Sequence, residues 1–255
     1  MHRPVLLAVS LLVFACEKSG SAPDAATSSS GSPPSATSPA STPSATSRPA
    51  GSATGVDGTG TIRYLAIGDS LTQGIGPEDF EAAAFPARLT AKWKAKGCKV
   101  ELKNAGIAGY TAGQMIQDEV PEIAAFKPTL ITFQSGANDI ANGVSPDEYR
   151  KNVRTIIEAG KKAGARVIVL LQNEWHRAPS GPDYGGTADK RNAYDAIMLE
   201  EIKARGVELA DLRPLYKAEA DKKLWVADGI HPPAKVYEEW ATELARIISV
   251  PCATK

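Results

Sequence analysis

TIRYLAIGDSL, residues 61–71, begins with a short apolar run and ends in a turn. Ile62–Ile67 is predicted to be a buried strand because largely apolar residues precede the turn residues Gly68, Asp69 and Ser70. Similar runs recur along the chain and alternate with longer helical patterns, which is typical of a parallel sheet covered by helices on both faces. The sequence therefore predicts an α/β fold with five parallel strands, at Ile62–Ile67, Val100–Lys103, Leu130–Gln134, Arg166–Leu171 and Val207–Ala210.

Helical patterns occupy the intervals between these strands. The clearest helix start is at Ser145, predicted as the N-cap, with Pro146 at the first helical position and Glu148 completing a capping box. The other predicted helices run from Pro86 to about Lys96, from about Thr111 with a bend or restart at Pro121, from Ala188 to Arg205, and from Pro233 to Ile248. In open parallel sheets, ligands bind beyond the carboxyl ends of the strands. Chemistry is therefore expected in the loops that start at Gly68, Asn104, Ser135, Gln172 and Asp211.

The amino-terminal 60 residues differ in composition from the rest of the chain. Residues 1–15 have a basic start at Arg3 and an apolar run too short to span a bilayer, which predicts an export signal. The sequence VFAC at 13–16 resembles a lipoprotein lipobox, which implies lipidation of Cys16; ordinary signal-peptidase cleavage is the alternative. Residues 17–60 contain only six residues other than Ser, Pro, Ala, Thr or Gly. We predict a disordered linker over 16–60, one folded domain over 61–250 and a tail over 251–255.

Charge argues against a nucleic-acid partner. The chain has 29 basic and 29 acidic residues and no dense Lys/Arg tract, so it lacks the electrostatic footprint of a nucleic-acid binder. The expected partner is a small ester or acyl compound. We expect the protein to be a monomer that contacts a membrane only through its lipid anchor.

Four short motifs follow the predicted strands or precede the last helix. They are GDSL at 68–71, NAG at 104–106, GAND at 136–139 and DGIH at 228–231. Together they resemble, in order and approximate spacing, the four blocks of the SGNH hydrolases, also called the GDSL esterase/lipase family. The resemblance covers residues 61–250 and implies a three-layer α/β/α, flavodoxin-like fold with strand order 2-1-3-4-5.

Serine needs a positioned base to become a nucleophile, so Ser70 requires an imidazole within hydrogen-bonding reach. The chain has three histidines, and His2 lies in the predicted signal, which leaves His176 and His231. His231 has an acidic residue, Asp228, three positions earlier, and a tight turn would let this carboxylate orient the ring. The resemblance implies the same roles: Ser70 as nucleophile, His231 as base and Asp228 as its partner.

An oxyanion formed from the attacked carbonyl needs hydrogen-bond donors. The resemblance assigns this role to the backbone N–H groups of Ser70 and Gly106 and to the side-chain amide of Asn138. Asp69 and Asp139 are interpreted as structural residues that hold their loops through side chain to backbone bonds. The long loop from 173 to 187 is the candidate for lining the substrate pocket, through Trp175, His176 and Tyr184.

The cysteines provide a further expectation. If Cys16 carries a lipid, Cys98 and Cys252 remain as a pair in a compartment that favours oxidation. With the strand order that the resemblance implies, the first and last long helices lie side by side and end at the same edge of the sheet. A disulfide between Cys98 and Cys252 is therefore predicted.

The leading functional hypothesis is a serine esterase that works through an acyl-serine intermediate without a metal or an organic cofactor. Two substrate classes compete, namely longer acyl chains on thioesters, aryl esters or lysophospholipids, and O-acetyl groups on carbohydrate. The ending WVADGIHP at 225–232 resembles the arylesterase, thioesterase and lysophospholipase branch and favours acyl chains. Rival hypotheses are a non-catalytic surface module and a metal-dependent phosphoesterase with the ligands Asp69, Asn138, Asp228 and His231.

Overall fold

Five strands form one parallel sheet in the computed structural model, which describes residues 55–252. The strands are β1 (Thr61–Ile67), β2 (Lys99–Asn104), β3 (Leu130–Phe133), β4 (Arg166–Val169) and β5 (Glu208–Leu209). Their order across the sheet is β2-β1-β3-β4-β5, and every neighbouring pair is parallel. The predicted α/β fold, its five-stranded parallel sheet and its strand order are confirmed.

Burial explains why the central strands were recognisable from sequence. All four residues of β3 are buried, as expected for a strand covered on both faces. At the edge of the sheet, β2 alternates between exposed and more buried positions. The last two strands, β4 and β5, are shorter than predicted. Leu170, Leu171 and Ala210 are buried, but they lie in the loops beyond the strand ends.

Ten α-helices occur within residues 55–252. They are α1 (Ser70–Gln73), α2 (Phe80–Ala83), α3 (Phe85–Ala95), α4 (Ala112–Asp118), α5 (Pro121–Phe126), α6 (Ala137–Ala141), α7 (Pro146–Lys162), α8 (Ala188–Arg205), α9 (Arg213–Asp221) and α10 (Ala234–Ile247). Each long predicted helix is present, and the predicted restart at Pro121 separates α4 from α5. The short helices α1, α2 and α6 were not predicted, because four or five residues are too few to show a helical period. The longer helix α9 was not predicted either.

One predicted helix cap needs correction. The Ser145 hydroxyl accepts a hydrogen bond from the Glu148 N–H at 3.2 Å, so the N-cap of α7 is as predicted. The complete capping box is at the start of α4 instead, where Thr111 and Gln114 exchange side chain to backbone bonds in both directions. At α7 the exposed Glu148 side chain faces solvent and does not return to the Ser145 N–H, so only half of the predicted capping box forms.

The hydrophobic core has one half on each face of the sheet. On one face, α3, α9 and α10 bury large aromatic side chains that include Trp93 and Trp240. On the other face, α4, α7 and α8 bury residues such as Met115 and Tyr149. Helices therefore cover both faces, which confirms the three-layer α/β/α architecture.

Residues 55–60, which the sequence analysis assigned to the linker, form a turn against the domain. The Asp57 carboxylate accepts hydrogen bonds from the N–H groups of Thr59 and Thr61 at 2.8 and 2.9 Å. The export signal, Cys16, linker residues 16–54 and tail residues 253–255 lie outside the described residues. Within residues 55–252, none of the helices has the length and apolar character needed to cross a bilayer.

Cys98 and Cys252 are joined by a disulfide in the structure, with their Cα atoms 4.6 Å apart. The two helices that lead to this edge of the sheet, α3 and α10, pack side by side, and Arg88 of α3 donates to Glu238 of α10 at 2.7 Å. The packing of these helices therefore places the two cysteines at a separation that a disulfide can bridge.

Replacing Cys252 with serine is expected to lower the free energy of unfolding by about 2 to 5 kcal/mol, because the bridge closes a long loop. Cys252 is only partly buried, so little packing is lost with the thiol. Denaturant unfolding of both proteins measures the effect, and a reducing agent should make the two curves coincide. Mass spectrometry of unreduced protein should find Cys98 and Cys252 protected from alkylation; alkylation of both would contradict the pairing.

Candidate active site

The loops at the carboxyl ends of the strands bring the predicted catalytic residues together. Ser70 follows β1, Asn138 follows β3, and Asp228 and His231 lie in the turn before α10. Parallel strands present their carboxyl ends at one edge of the sheet, so residues far apart in sequence meet there. The Ser70 and His231 side chains, 161 residues apart, are in direct contact.

Ser70 is held at the first position of α1 by a sharp turn after β1. The Asp69 side chain is the N-cap of this helix and accepts a hydrogen bond from the Leu71 N–H at 3.0 Å. The Ser70 hydroxyl therefore points away from the buried strand and lies 2.8 Å from Nε2 of His231. At the first position of a helix, the Ser70 N–H has no partner within the helix and is available to a substrate oxygen.

His231 is oriented by Asp228. Oδ2 of Asp228 lies 2.8 Å from Nδ1 of His231, and Oδ1 accepts from the N–H groups of Ile230 and His231 at 2.9 Å each. Burial alone would raise the pKa of Asp228, but the backbone donors and the imidazole outweigh it and hold the pKa below its usual value. An ionised Asp228 keeps the proton on Nδ1, which leaves the Nε2 lone pair free to accept the Ser70 proton.

Asn138 lies in the first turn of α6 and lines the cleft beside Ser70. Its Nδ2 donates to the carbonyl oxygen of Tyr110 at 3.0 Å. A carbonyl oxygen can only accept, so this contact also establishes that the Nδ2 end of the Asn138 amide, and not the Oδ1 end, faces Tyr110. One amide hydrogen is engaged there, and the other remains for an oxyanion.

Gly106 lies close to α1 but is not among the residues that line the cleft. A Cβ atom at this position would lie 2.7 Å from the Gln73 nitrogen and 2.9 Å from the Thr72 side chain, so only glycine fits the approach. Its N–H donates to the Asn104 side chain at 3.2 Å. The oxyanion role of Gly106 stays a prediction, in which a substrate oxygen replaces Asn104 as the acceptor.

An apolar cleft of about 180 Å³ opens beside Ser70 and His231. Apart from Ser70, His231, Asp69, Asn138 and Tyr184, its wall residues are small or apolar: Leu71, Ala108, Gly109, Ala137, Ala141, Trp175 and Ile230. Trp175 and Tyr184, two of the three predicted pocket residues, line this cleft.

His176, the third predicted pocket residue, does not line the cleft, and this prediction needs correction. Trp175–Arg177 is a turn of 3₁₀-helix, in which successive side chains point about 120° apart. Because the Trp175 side chain faces the cleft, the His176 side chain points away from it. The His176 ring lies 3.8 Å from Glu174 instead, and burial lowers the pKa of His176.

Comparison with known proteins decides the family. The model of the GDSL-like Lipase/Acylhydrolase family matches residues 66–239. The chain belongs to this family. It is 30% identical over 170 residues to the thioesterase 1/protease 1/lysophospholipase L1 of Escherichia coli K12, covering 66% of this chain and 74% of that protein. This GDSL-family chain is thus a serine hydrolase of ester substrates.

Two further similarities involve acetyl esterases. An acetylxylan esterase from Xylanibacter ruminicola is 26% identical over 220 residues, covering 74% of this chain and 42% of that protein. The crystal structure of a catalytic mutant of an acetylxylan esterase from Geobacillus stearothermophilus superposes with a TM-score of 0.62 at 17% identity, covering 79% of this chain and 99% of that one. The second similarity concerns the fold alone.

The geometry around His231 differs from that of a metal site. Oδ2 of Asp228 contacts one ring nitrogen while Ser70 faces the other, and Oδ1 of Asp228 is engaged by backbone N–H groups. Within the described part of this GDSL-family chain, no group of three or more His, Cys, Asp or Glu side chains could hold a metal ion. Asp69, Asp228 and His231, three of the four ligands in the rival phosphoesterase hypothesis, therefore do not form such a group.

Buried carboxylates beneath the catalytic loops were missed or underestimated by the sequence analysis. Asp139 accepts from the N–H of Ala112 and so ties the loop after β3 to the start of α4. Glu119, which carried no sequence signal, accepts from the N–H of Gly68 at 2.8 Å and is 1% exposed. Burial, reinforced by the nearby Asp69 carboxylate, raises the pKa of Glu119 to about 9.

Glu119→Gln is expected to make this enzyme more stable at alkaline pH. An unfolded glutamate releases its proton near pH 4.5, whereas Glu119 in the folded protein keeps it to about pH 9. Within this window the folded state binds more protons, so the free energy of unfolding falls as pH rises. Glutamine resembles the protonated acid and removes this contribution.

Thermal unfolding at pH 5.5 and 8.5 measures the effect. The Tm of the original protein should fall over this interval more than that of Glu119→Gln, and the variant should be the more stable protein at pH 8.5. Glu78→Gln is the matched control, since Glu78 is exposed. Parallel pH dependence of the original protein and Glu119→Gln would show that Glu119 is ionised in the fold.

Proposed function

We propose that this enzyme hydrolyses carboxylic esters and thioesters with an apolar acyl group, through an acyl-serine intermediate on Ser70. The observation that carries the proposal is the apolar cleft directly beside the Ser70 hydroxyl. The 2.8 Å contacts from Ser70 to His231 and from His231 to Asp228 support the assignment of nucleophile, base and orienting acid. No metal or organic cofactor takes part.

The first half-reaction acylates Ser70. Its oxygen attacks the ester carbonyl while Nε2 of His231 takes the hydroxyl proton, and Asp228 stabilises the imidazolium that forms. The carbonyl electron pair moves onto oxygen, where Asn138 and the N–H groups of Ser70 and Gly106 stabilise the charge. Collapse of this intermediate expels the alcohol or thiol, which receives the proton from His231. Water then repeats these steps against the acyl-serine and releases the acid.

The cleft favours acyl groups longer than acetyl. A cavity of about 150 Å³ is large enough for a benzene ring, and this cleft measures about 180 Å³. An acetyl group would leave most of the apolar wall uncovered, whereas a chain of about six carbons would bury it. Each buried methylene contributes about 0.8 kcal/mol, which is about fourfold in kcat/KM. The similarity to the E. coli thioesterase and lysophospholipase supports the same class.

The test is a comparison of p-nitrophenyl acetate, hexanoate and octanoate with acetylated xylan. We expect kcat/KM to rise by about two hundredfold from acetate to hexanoate, since each of the four added methylenes contributes about fourfold when it is buried in the cleft. Activity should be unchanged after chelation of metals. Highest activity on acetyl groups of the polysaccharide would contradict the proposed acyl specificity, and loss of activity on chelation would contradict the cofactor-free mechanism.

Carbohydrate O-acetylesterase activity is the second candidate. The similarity to the acetylxylan esterase of Xylanibacter ruminicola favours it. The same assay separates the two candidates, because an O-acetylesterase would release acetate from xylan and lose activity as the acyl chain grows.

Export to the cell envelope as a monomeric lipoprotein is the proposed location. The apolar run that ends at Cys16 and the linker composition support it. Cys16→Ser should move the protein from the membrane fraction to the soluble fraction. An unchanged distribution would favour the secreted, unanchored alternative.

A further inference from the structure

Two hydrogen bonds connect the pocket loop, residues 173–187, to the turn that carries the acid and the base. The Ser180 N–H donates to the carbonyl oxygen of Gly229 at 2.9 Å. The Ser180 hydroxyl donates to the carbonyl oxygen of Asp228 at 3.1 Å. Both acceptors belong to the turn at 226–231, 48 and 49 residues away in sequence. Ser180 therefore contacts the backbone of this turn without touching the reacting atoms.

The approach of Ser180 to this turn leaves no room for a side chain. Gly229 has a φ of +73°, and a Cβ atom there would lie 2.6 Å from the Ser180 hydroxyl oxygen. Glycine at position 229 thus permits both the left-handed backbone conformation and the close contact with the pocket loop. The turn is partly open to solvent, since the Asp228 side chain is 41% exposed.

In the pocket loop, Ser180 lies in sequence between Trp175 and Tyr184, the two aromatic residues that line the cleft. Backbone hydrogen bonds join Ala178 to Trp175, Gly181 to Ala178, and Asp183 to Ser180, which makes this part of the loop a run of tight turns. The Trp175 indole is held in turn by a bond from Nε1 to Gln172 at 2.9 Å. The wall of the acyl cleft and the anchor of the acid turn therefore belong to one segment.

We propose that Ser180 is a positioning residue that holds the Asp228–His231 turn against the pocket loop. It acts through the backbone of Asp228 and Gly229, so that the wall of the acyl cleft and the acid-base pair keep one relative position. The inference rests on the proposed roles of Ser70, Asp228 and His231. Losing the hydroxyl loosens the turn, which lengthens the time that His231 spends out of reach of Ser70.

Ser180→Ala tests the proposal on p-nitrophenyl hexanoate. We expect kcat to fall by about threefold to tenfold, the scale of one hydrogen bond, with KM changed less than twofold. The pH profile of kcat/KM should also change, because this profile reports the essential acid and base of the free enzyme and Ser180 holds the turn that carries them. Ser180→Thr, which retains the hydroxyl, should recover most of the rate.

A readout without substrate accompanies the kinetics. The low-field proton NMR signal of the His231 Nδ1–H should shift or broaden in Ser180→Ala and return in Ser180→Thr. Arg177→Gln is the matched control, since Arg177 connects the same loop to Asp221 of α9 at 2.7 Å and not to the acid turn. This control should leave kcat, the pH profile and the NMR signal as in the original protein.

Several outcomes would overturn the proposal. Unchanged kcat and NMR signal in Ser180→Ala would do so, as would equal losses in Ser180→Ala and Arg177→Gln, which would indicate a general effect on the loop. Ser70→Ala, measured alongside, separates this inference from the proposed function. If Ser70→Ala is inactive and Ser180→Ala is normal, the positioning role fails while the catalytic assignment stands. Full activity of Ser70→Ala would overturn both.

Discussion

Ser70→Ala is expected to lower kcat toward p-nitrophenyl esters by about four to six orders of magnitude, the loss found when the nucleophile of a catalytic triad is removed. The structure provides the reason. The Ser70 hydroxyl is the group in contact with Nε2 of His231, at 2.8 Å, and it faces the cleft. Without this oxygen no acyl-enzyme forms, and the remaining oxyanion donors can only assist direct attack by water.

The fold should survive this substitution, because Ser70 is only partly buried and α1 is capped by Asp69. Its Tm should lie within a few degrees of that of the original protein. A fluorophosphonate probe should label the original protein once, on Ser70, and leave Ser70→Ala unlabelled. Stoichiometric labelling of a different residue would show that the nucleophile is misassigned.

Asn138→Ala is expected to lower kcat by about a hundredfold to a thousandfold, the usual effect of removing one oxyanion donor. The Asn138 amide lines the cleft beside Ser70 and is oriented in advance by the bond from Nδ2 to the Tyr110 carbonyl. A preorganised donor needs no reorganisation when charge develops on the substrate oxygen. KM should change much less, because that charge exists only near the transition state.

Steady-state kinetics on p-nitrophenyl hexanoate separate the two parameters. Asn192→Ala is the matched control, since Asn192 has the same side chain, is exposed on α8 and does not line the cleft. It should keep kcat within about twofold, as a surface substitution away from the chemistry. A large rise in KM for Asn138→Ala with unchanged kcat would instead make Asn138 a substrate-binding residue.

The order and type of the main elements could be predicted from the sequence because they depend on local composition. Buried parallel strands such as β3 require continuous apolar runs. The start of α7 is indicated by a capping residue followed by proline. The helix α9 was missed since its only large apolar side chains, Leu215 and Tyr216, are adjacent in sequence and do not show a helical period. Ser70, Asp228 and His231 could be named because the carboxyl ends of parallel strands converge and the motif order is specific.

Directions of side chains and contacts across long separations depended on the tertiary structure. His176 and Trp175 are neighbours in sequence, yet the 3₁₀ turn sends only Trp175 into the cleft. Glu119 contacts Gly68, which precedes Ser70 and is 51 residues away in sequence. Its buried environment raises the pKa of Glu119. No local pattern encodes such a contact, because burial and hydrogen bonding between distant segments arise only when the layers pack.

Thus the sequence by itself determined the fold class and the approximate strand positions, since both follow from local apolar patterns, and short motifs indicated the candidate catalytic side chains. Packing of the loops decided which residues line the cleft beside Ser70, which acceptor the Gly106 N–H has, and how Ser180 reaches the turn at Asp228. These features require two loops to meet at distances of about 3 Å, and only the complete three-layer structure sets the positions of both.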